Sequence, residues 1–146
     1  MNLLKALNKG YDILKSNNIN SYKIDAELLL SESLNVSKEK LILNLNDVIN
    51  SDDYKAYLSK LKRRLNKEPV AYILKKKEFW KNEFYINKNV LIPRPETEHL
   101  VEETLRIIPE NKNKKLLEIG IGSGCLMISI LKDRKSCYGI GIDTCK

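Results

Sequence analysis

The sequence predicts an α/β chain in three parts: an N-terminal helical bundle, a β-hairpin linker, and the opening strand–loop–helix–strand of a parallel α/β domain. Three observations carry this. Apolar residues in the first 68 positions recur at helical spacing, strand formers replace them over residues 78–92, and a short apolar run at 115–119 leads into three alternating glycines. With 146 residues the chain has room for one ordinary domain or two small ones. The expected boundaries are 1–70 for the helical part, 71–92 for the hairpin and 93–146 for the start of the α/β part.

The helices follow in order. Leu3, Leu4, Leu7, Tyr11 and Leu14 share one helical face, and Asn17, Asn18 and Asn20 interrupt it. Asp25-Ala26-Glu27-Leu28-Leu29-Leu30 opens a second helix that ends near Leu34-Asn35. Ser37 is placed to cap a third through Leu43. Ser51, Asp52 and Asp53 suit the start of a fourth, because carboxylates complement the positive end of the helix dipole. Tyr54, Tyr57, Leu58, Leu61 and Leu65 then line one face. Four helices with one apolar stripe each must pack on one another.

Glu68-Pro69 ends the last long helix or opens a turn. Phe79, Trp80, Phe84, Ile86, Val90, Leu91 and Ile92 predict a hairpin turning at Lys81-Asn82, closed by Pro93 and Pro95. Thr97 to Ile108 reads as a helix. Lys115 to Ile119 reads as a buried strand, 120–124 as a glycine loop, Cys125 to Lys132 as a helix, and Cys137 to Ile142 as a second strand ending at Asp143.

Composition narrows the class. Hydrophobic residues at 42% and charged residues at 31% can build a core and argue against disorder. No apolar run reaches the roughly 18 residues of a membrane span, and the first eleven residues lack a signal peptide's apolar core, so a cytoplasmic protein is expected. The net charge of +7 can favour RNA or acidic partners, yet 21 of the 26 basic residues are scattered lysines, the pattern of a solvated surface. Cys125, Cys137 and Cys145 are odd in number and lack a C-x-x-C pair, which suits neither a disulfide framework nor a metal site.

The densest chemical signal is Glu118-Ile119-Gly120-Ile121-Gly122-Ser123-Gly124. Glycines after a strand let a ligand approach the backbone, and the following helix offers unpaired N–H groups. Dinucleotide loops space their glycines G-x-G-x-x-G; here the third falls at Gly124, and position 125 is Cys. That E-x-G-x-G-x-G pattern is similar to the first motif of S-adenosylmethionine-dependent methyltransferases. The plainer alternative is a tight strand–helix turn. Asp143, 23 residues after Gly120 at the end of the next strand, is placed to accept both hydroxyls of a ribose; its alternative is a solvated carboxylate.

The resemblance extends along essentially the whole chain. Asp25 to Leu30, Glu68-Pro69-Val70-Ala71-Tyr72-Ile73-Leu74, Glu78-Phe79-Trp80, Leu91-Ile92-Pro93-Arg94-Pro95-Glu96-Thr97-Glu98, the glycine loop and Asp143 occur in the order of the N5-glutamine methyltransferases of peptide chain release factors, the HemK/PrmC family. The resemblance implies that residues 1–70 dock the release factor, free or on the ribosome. It implies that 93–146 begin a truncated Rossmann-like class I methyltransferase domain. S-adenosylmethionine is the implied cofactor, held by Gly120, Ile121, Gly122, Ser123, Gly124 and Asp143, with Arg94 to Glu98 beside the active site. For those five residues the alternative is a Pro-bounded helix start. Trp80 is expected to be a packed hairpin aromatic, and His99 a surface residue. Neither a membrane nor direct DNA binding is expected.

Two departures stand out. Lys75 occupies a place where the family usually has Gly. The family's substrate motif, Asn-Pro-Pro-Tyr, is absent from the 146 residues, so no catalytic residue is assigned and the chain alone is expected to be inactive. Rival readings are an N6-adenine nucleic-acid methyltransferase, which shares the glycine loop, and a docking module without catalysis.

Overall fold

The computed structural model describes residues 1–144; Cys145 lies outside the described residues. The chain forms two compact units, Met1–Leu74 and one beginning at Lys75. It is mixed α/β.

In the first unit, α1 (Leu3–Ser16) starts at Asn2, whose side chain accepts from the Lys5 N–H at 3.0 Å. α2 spans Tyr22–Ser33. α3 (Lys38–Leu43) is capped by Ser37, which accepts from the Lys40 N–H at 3.2 Å. α4 (Ser51–Leu65) is capped by Asn50, at 2.8 Å from the Asp53 N–H, with Asp52 and Asp53 in its first turn and Lys62, Arg63 and Arg64 in its last. Both charge sets complement the dipole. A short helix, α5 (Val70–Leu74), follows Pro69. α2 packs against both α1 and α4. Their stripes meet in a core of Leu7, Leu14, Leu29, Leu30, Tyr57 and Leu61, each at most 2% exposed, and burying each of the leucines contributes roughly 1.5–3 kcal/mol. At Gly10 a side chain would run into the Tyr57 ring, so α1 and α4 approach closely there.

In the second unit, β1 (Lys76–Phe79) pairs antiparallel with β2 (Asn82–Tyr85), with Phe79 opposite Asn82. The turn is Trp80-Lys81. Phe79 and Phe84 are buried and meet edge to face at 6.3 Å. A single 3-10 turn, Pro95–Thr97, leads into α6 (Glu98–Ile107). Strands β3 (Lys115–Ile119) and β4 (Tyr138–Ile142) run parallel with Leu117 opposite Ile140, and α7 (Cys125–Asp133) connects them. The Arg134 guanidinium donates to the carbonyls of Leu105 and Ile108, both at 2.6 Å, and so satisfies the C-terminal end of α6. One face of the β3–β4 pair exposes Leu117, Ile119, Ile140 and Ile142. Among the described residues no helix is long and apolar enough to cross a membrane.

Three local expectations are corrected. α2 begins at Tyr22, a turn before Asp25, and the Tyr22 ring packs edge to face on Tyr11 at 6.1 Å. The hairpin turns one residue earlier than Lys81-Asn82, and its first strand recruits Lys76 and Lys77. Val90 to Ile92, although strand formers, pair with no described strand; strand propensity is expressed only where a neighbouring strand supplies the ladder.

Candidate functional site

The site grows out of the end of β3. Gly120, Gly122 and Gly124 take φ of 80°, 54° and 74°, a left-handed region that only glycine enters without penalty. That succession folds the loop back on the strand ends. The N–H groups of Gly120 and Ile121 both donate to the Ile142 carbonyl, at 2.7 and 3.1 Å, and Gly124 N–H donates to the Ile121 carbonyl at 2.8 Å. Side chains added at Gly120 or Gly122 would meet nothing within 4 Å, so the loop presents open backbone. At Gly124 a Cβ would lie 3.1 Å from Ile128 Cδ1; this glycine also admits the first turn of α7.

Two carboxylates frame the loop. Asp143 Oδ2 accepts from the Gly122 N–H at 2.7 Å, which brings the end of β4 onto the loop. Glu118 Oε2 accepts from the Met127 N–H at 3.1 Å, one of the orphan donors at the start of α7. Burial pushes the Glu118 carboxyl above its usual range, against the Met127 hydrogen bond. Burial likewise pushes up the Cys125 thiol, which makes it a poor nucleophile.

A cavity of about 170 Å³ lies over the loop. Gly120 to Ser123, Cys125 and Leu126 form its floor, and Leu91 to Arg94 with Thr97 form its wall. A larger hollow of about 340 Å³ runs along the hairpin from Glu78 to Glu83. The smaller one is the better candidate, because it holds open backbone, the carboxylate of Glu118 and the N-terminal end of a helix together. Of the residues picked out in the sequence, Gly120, Ile121, Gly122 and Ser123 line the cavity. Gly124 and Asp143 do not line it; they hold the loop through their hydrogen bonds to Ile121 and Gly122. Arg94 and Thr97 reach the wall. Glu118, Leu91 to Pro93, Cys125 and Leu126 also line it and were not among the residues expected to hold the cofactor. The acidic first position of the glycine motif was the available signal for Glu118. His99 is on the surface of α6, 3.7 Å from Glu102.

Residues 5–74 match the family model of the PrmC N-terminal domain. The release factor glutamine methyltransferase of Caulobacter vibrioides is 36% identical over 143 residues, 98% of this chain and 50% of that protein. The protein of the same name from Leptospira interrogans is 40% identical over 134 residues, 91% of this chain and 47% of that protein. The chain belongs to the release factor glutamine methyltransferase family. It spans about half the length of the curated relatives it matches. A bifunctional methyltransferase of Rickettsia bellii is also similar, 37% identical over 153 residues, 87% of this chain and 28% of that protein. In two relatives of this family, from Caulobacter and Leptospira, the similarity runs well past the helical unit, since it covers more than nine-tenths of the chain. The glycine loop and Asp143 are therefore read together with the helices.

Proposed function

We propose that this chain supplies the docking domain and the cofactor loop of an enzyme that methylates a glutamine side-chain amide of peptide chain release factors. Residues 1–70 are the docking domain, 71–92 the hairpin linker, and 93–146 the start of a Rossmann-like methyltransferase domain that works in the cytoplasm. The cofactor is S-adenosylmethionine, which supplies an electrophilic methyl group when bound. Gly120 to Gly124 form the loop that receives it, with open backbone at Gly120 and Gly122, and Asp143 accepts from the ribose hydroxyls.

The observation that carries this reading is the juxtaposition of Gly122 and Asp143, 2.7 Å apart beside the cavity. Cβ atoms at Gly120 and Gly122 would occupy the space a ligand needs, and the glycines leave it open. At about 170 Å³ the cavity is smaller than the roughly 300–1,000 Å³ of small-molecule pockets, so it accommodates part of the cofactor. An N6-adenine nucleic-acid methyltransferase is not favoured, because the matching relatives are named for release factor glutamine.

The test is a titration of the chain with S-adenosylhomocysteine, followed by the backbone amide resonances of Gly120, Gly122 and Gly124. These should move saturably, and more readily than with NADH. Tighter binding of NADH would overturn the methyltransferase reading.

A further inference from the structure

The cavity wall, residues 91–97, is a strap with no described strand partner. Its far end is tied to the hairpin. Upstream of the strap, the Ile86 N–H donates to the Lys75 carbonyl at 3.0 Å and closes the hairpin base. At the far end, the Trp80 N–H donates to Glu98 Oε1 at 2.8 Å.

That tie is unusual. Trp80 has φ of 56°, a left-handed conformation that is costly for a bulky residue. Its surroundings hold it there. Its indole N–H donates to Asp133 Oδ2 at 3.1 Å, Lys81 Nζ reaches the same oxygen at 3.0 Å, and the Lys81 ammonium lies 5.5 Å from the ring centre. The turn thus aims one backbone N–H at the first residue of α6. Thr97, the neighbour of Glu98, lines the cavity, and its N–H donates to the Arg94 carbonyl at 3.0 Å. A shift of Glu98 therefore carries Thr97 and Arg94 with it.

We propose that Glu98 is a positioning residue: by accepting the Trp80 N–H it holds the strap of residues 91–97 over the glycine loop and sets the affinity of the loop for a nucleoside-bearing ligand. This rests on the cofactor reading above. Glu98 touches no ligand in this scheme; it acts through the strap.

Three variants of the full chain separate its possible contributions. Glu98→Gln keeps the length and the acceptor oxygen but loses the charge. Glu98→Asp keeps the charge near the helix N-terminus but falls short of Trp80. Glu98→Ala loses both. Each is titrated with S-adenosylhomocysteine while the loop glycine amides are followed, and melting is recorded in parallel. Glu98→Gln should bind within about threefold of the parent, whereas Glu98→Asp and Glu98→Ala should bind about tenfold more weakly, the scale of one charge-assisted hydrogen bond. If Glu98→Asp binds like the parent, or Glu98→Gln like Glu98→Ala, the carboxylate acts by charge and the proposal is overturned. If Glu98→Ala does not fold, the Asp and Gln pair decides alone. A parent chain whose loop amides ignore S-adenosylhomocysteine overturns both the cofactor reading and this inference; a parent that binds with all variants unchanged overturns only the inference.

Discussion

Asp25 and Arg64 form an ion pair across the helical unit, with Arg64 Nε donating to Asp25 Oδ2 at 2.7 Å and only 8% of the Asp25 side chain exposed. Ser21 Oγ donates to the same oxygen at 2.8 Å. The pair joins the first turn of α2 to the last turn of α4. A buried charge left without its partner is penalised heavily, so Asp25→Ala should destabilise the chain by about 3 kcal/mol. Replacing both residues with apolar ones, as in Asp25→Leu with Arg64→Met, should cost less than the single change. Urea unfolding of the double-mutant cycle checks this; an additive result would remove the coupling.

Lys75 is the second case. It sits at φ of 58°, in the left-handed region that favours glycine. The Lys75→Gly variant should be more stable by about 1 kcal/mol, since relief of the left-handed penalty outweighs the added freedom of the unfolded chain. A lower unfolding midpoint would show that the Lys75 side chain contributes more than its backbone loses.

Acid should weaken the helical unit. Burial pushes the Glu27 carboxyl up, but the hydrogen bonds from Lys38 and Tyr11 outweigh it and hold the pKa below the usual range. The Arg63 guanidinium holds Glu68 low in the same direction. For a depressed carboxyl the stabilisation is complete above the unfolded value, about 4.3, and is lost as pH falls through the folded one. Stability should thus be flat near neutrality and decline below about pH 4. Glu27→Gln should flatten that decline, and unfolding curves at successive pH values measure it.

In the loop, Asp143→Ala should weaken S-adenosylhomocysteine binding about 10- to 150-fold, the loss of a charged acceptor at roughly 1.5–3 kcal/mol. It also removes the acceptor of the Gly122 N–H, so the Gly122 amide should exchange faster before any ligand is added. Calorimetry in a chimera carrying the C-terminal half of the Leptospira relative reads the first effect; unchanged affinity there would exclude a ribose role.

Hydrogen exchange should also separate the two units. The core of α1, α2 and α4 is sealed, whereas β3 and β4 leave Leu117, Ile119, Ile140 and Ile142 exposed on one face, and parallel sheets are ordinarily covered on both. Amides of Leu116 to Ile119 should exchange faster than those of Leu29 and Leu30. Equal protection would mean that the strand pair is stable without a cover.

The sequence was most legible where the cause is local. Ser37 caps α3 as read, and Lys115 to Ile119 form β3, because a cap and a short apolar run act within a few residues; the burial expected for that strand is not seen, since Leu117 and Ile119 are exposed on a face that no described element covers. Tyr22 was missed as the start of α2 because its ring answers Tyr11 from another helix. Lys76 and Lys77 were missed as strand because pairing with Tyr85 and Phe84, not their own propensity, makes them so. Asp25 and Glu27 were visible as a motif but not as structural anchors, since Arg64, Lys38 and Tyr11 lie far along the chain. The glycine loop was legible as a turn between β3 and α7; the strap that walls it was legible as a motif, with Arg94 and Thr97 reaching the cavity as the resemblance implied, but its tie through Glu98 to Trp80 was not, because the two lie eighteen residues apart.

Gly141 in β4 carries a consequence for how this loop can vary. Any side chain there would overlap that of Ile121, whose branched end occupies the space above the strand. The shape of the loop is thus partly recorded in a strand twenty positions later. In a library built on this chain, positions 121 and 141 should drift as one locus, a bulkier residue at the second surviving only beside a smaller one at the first.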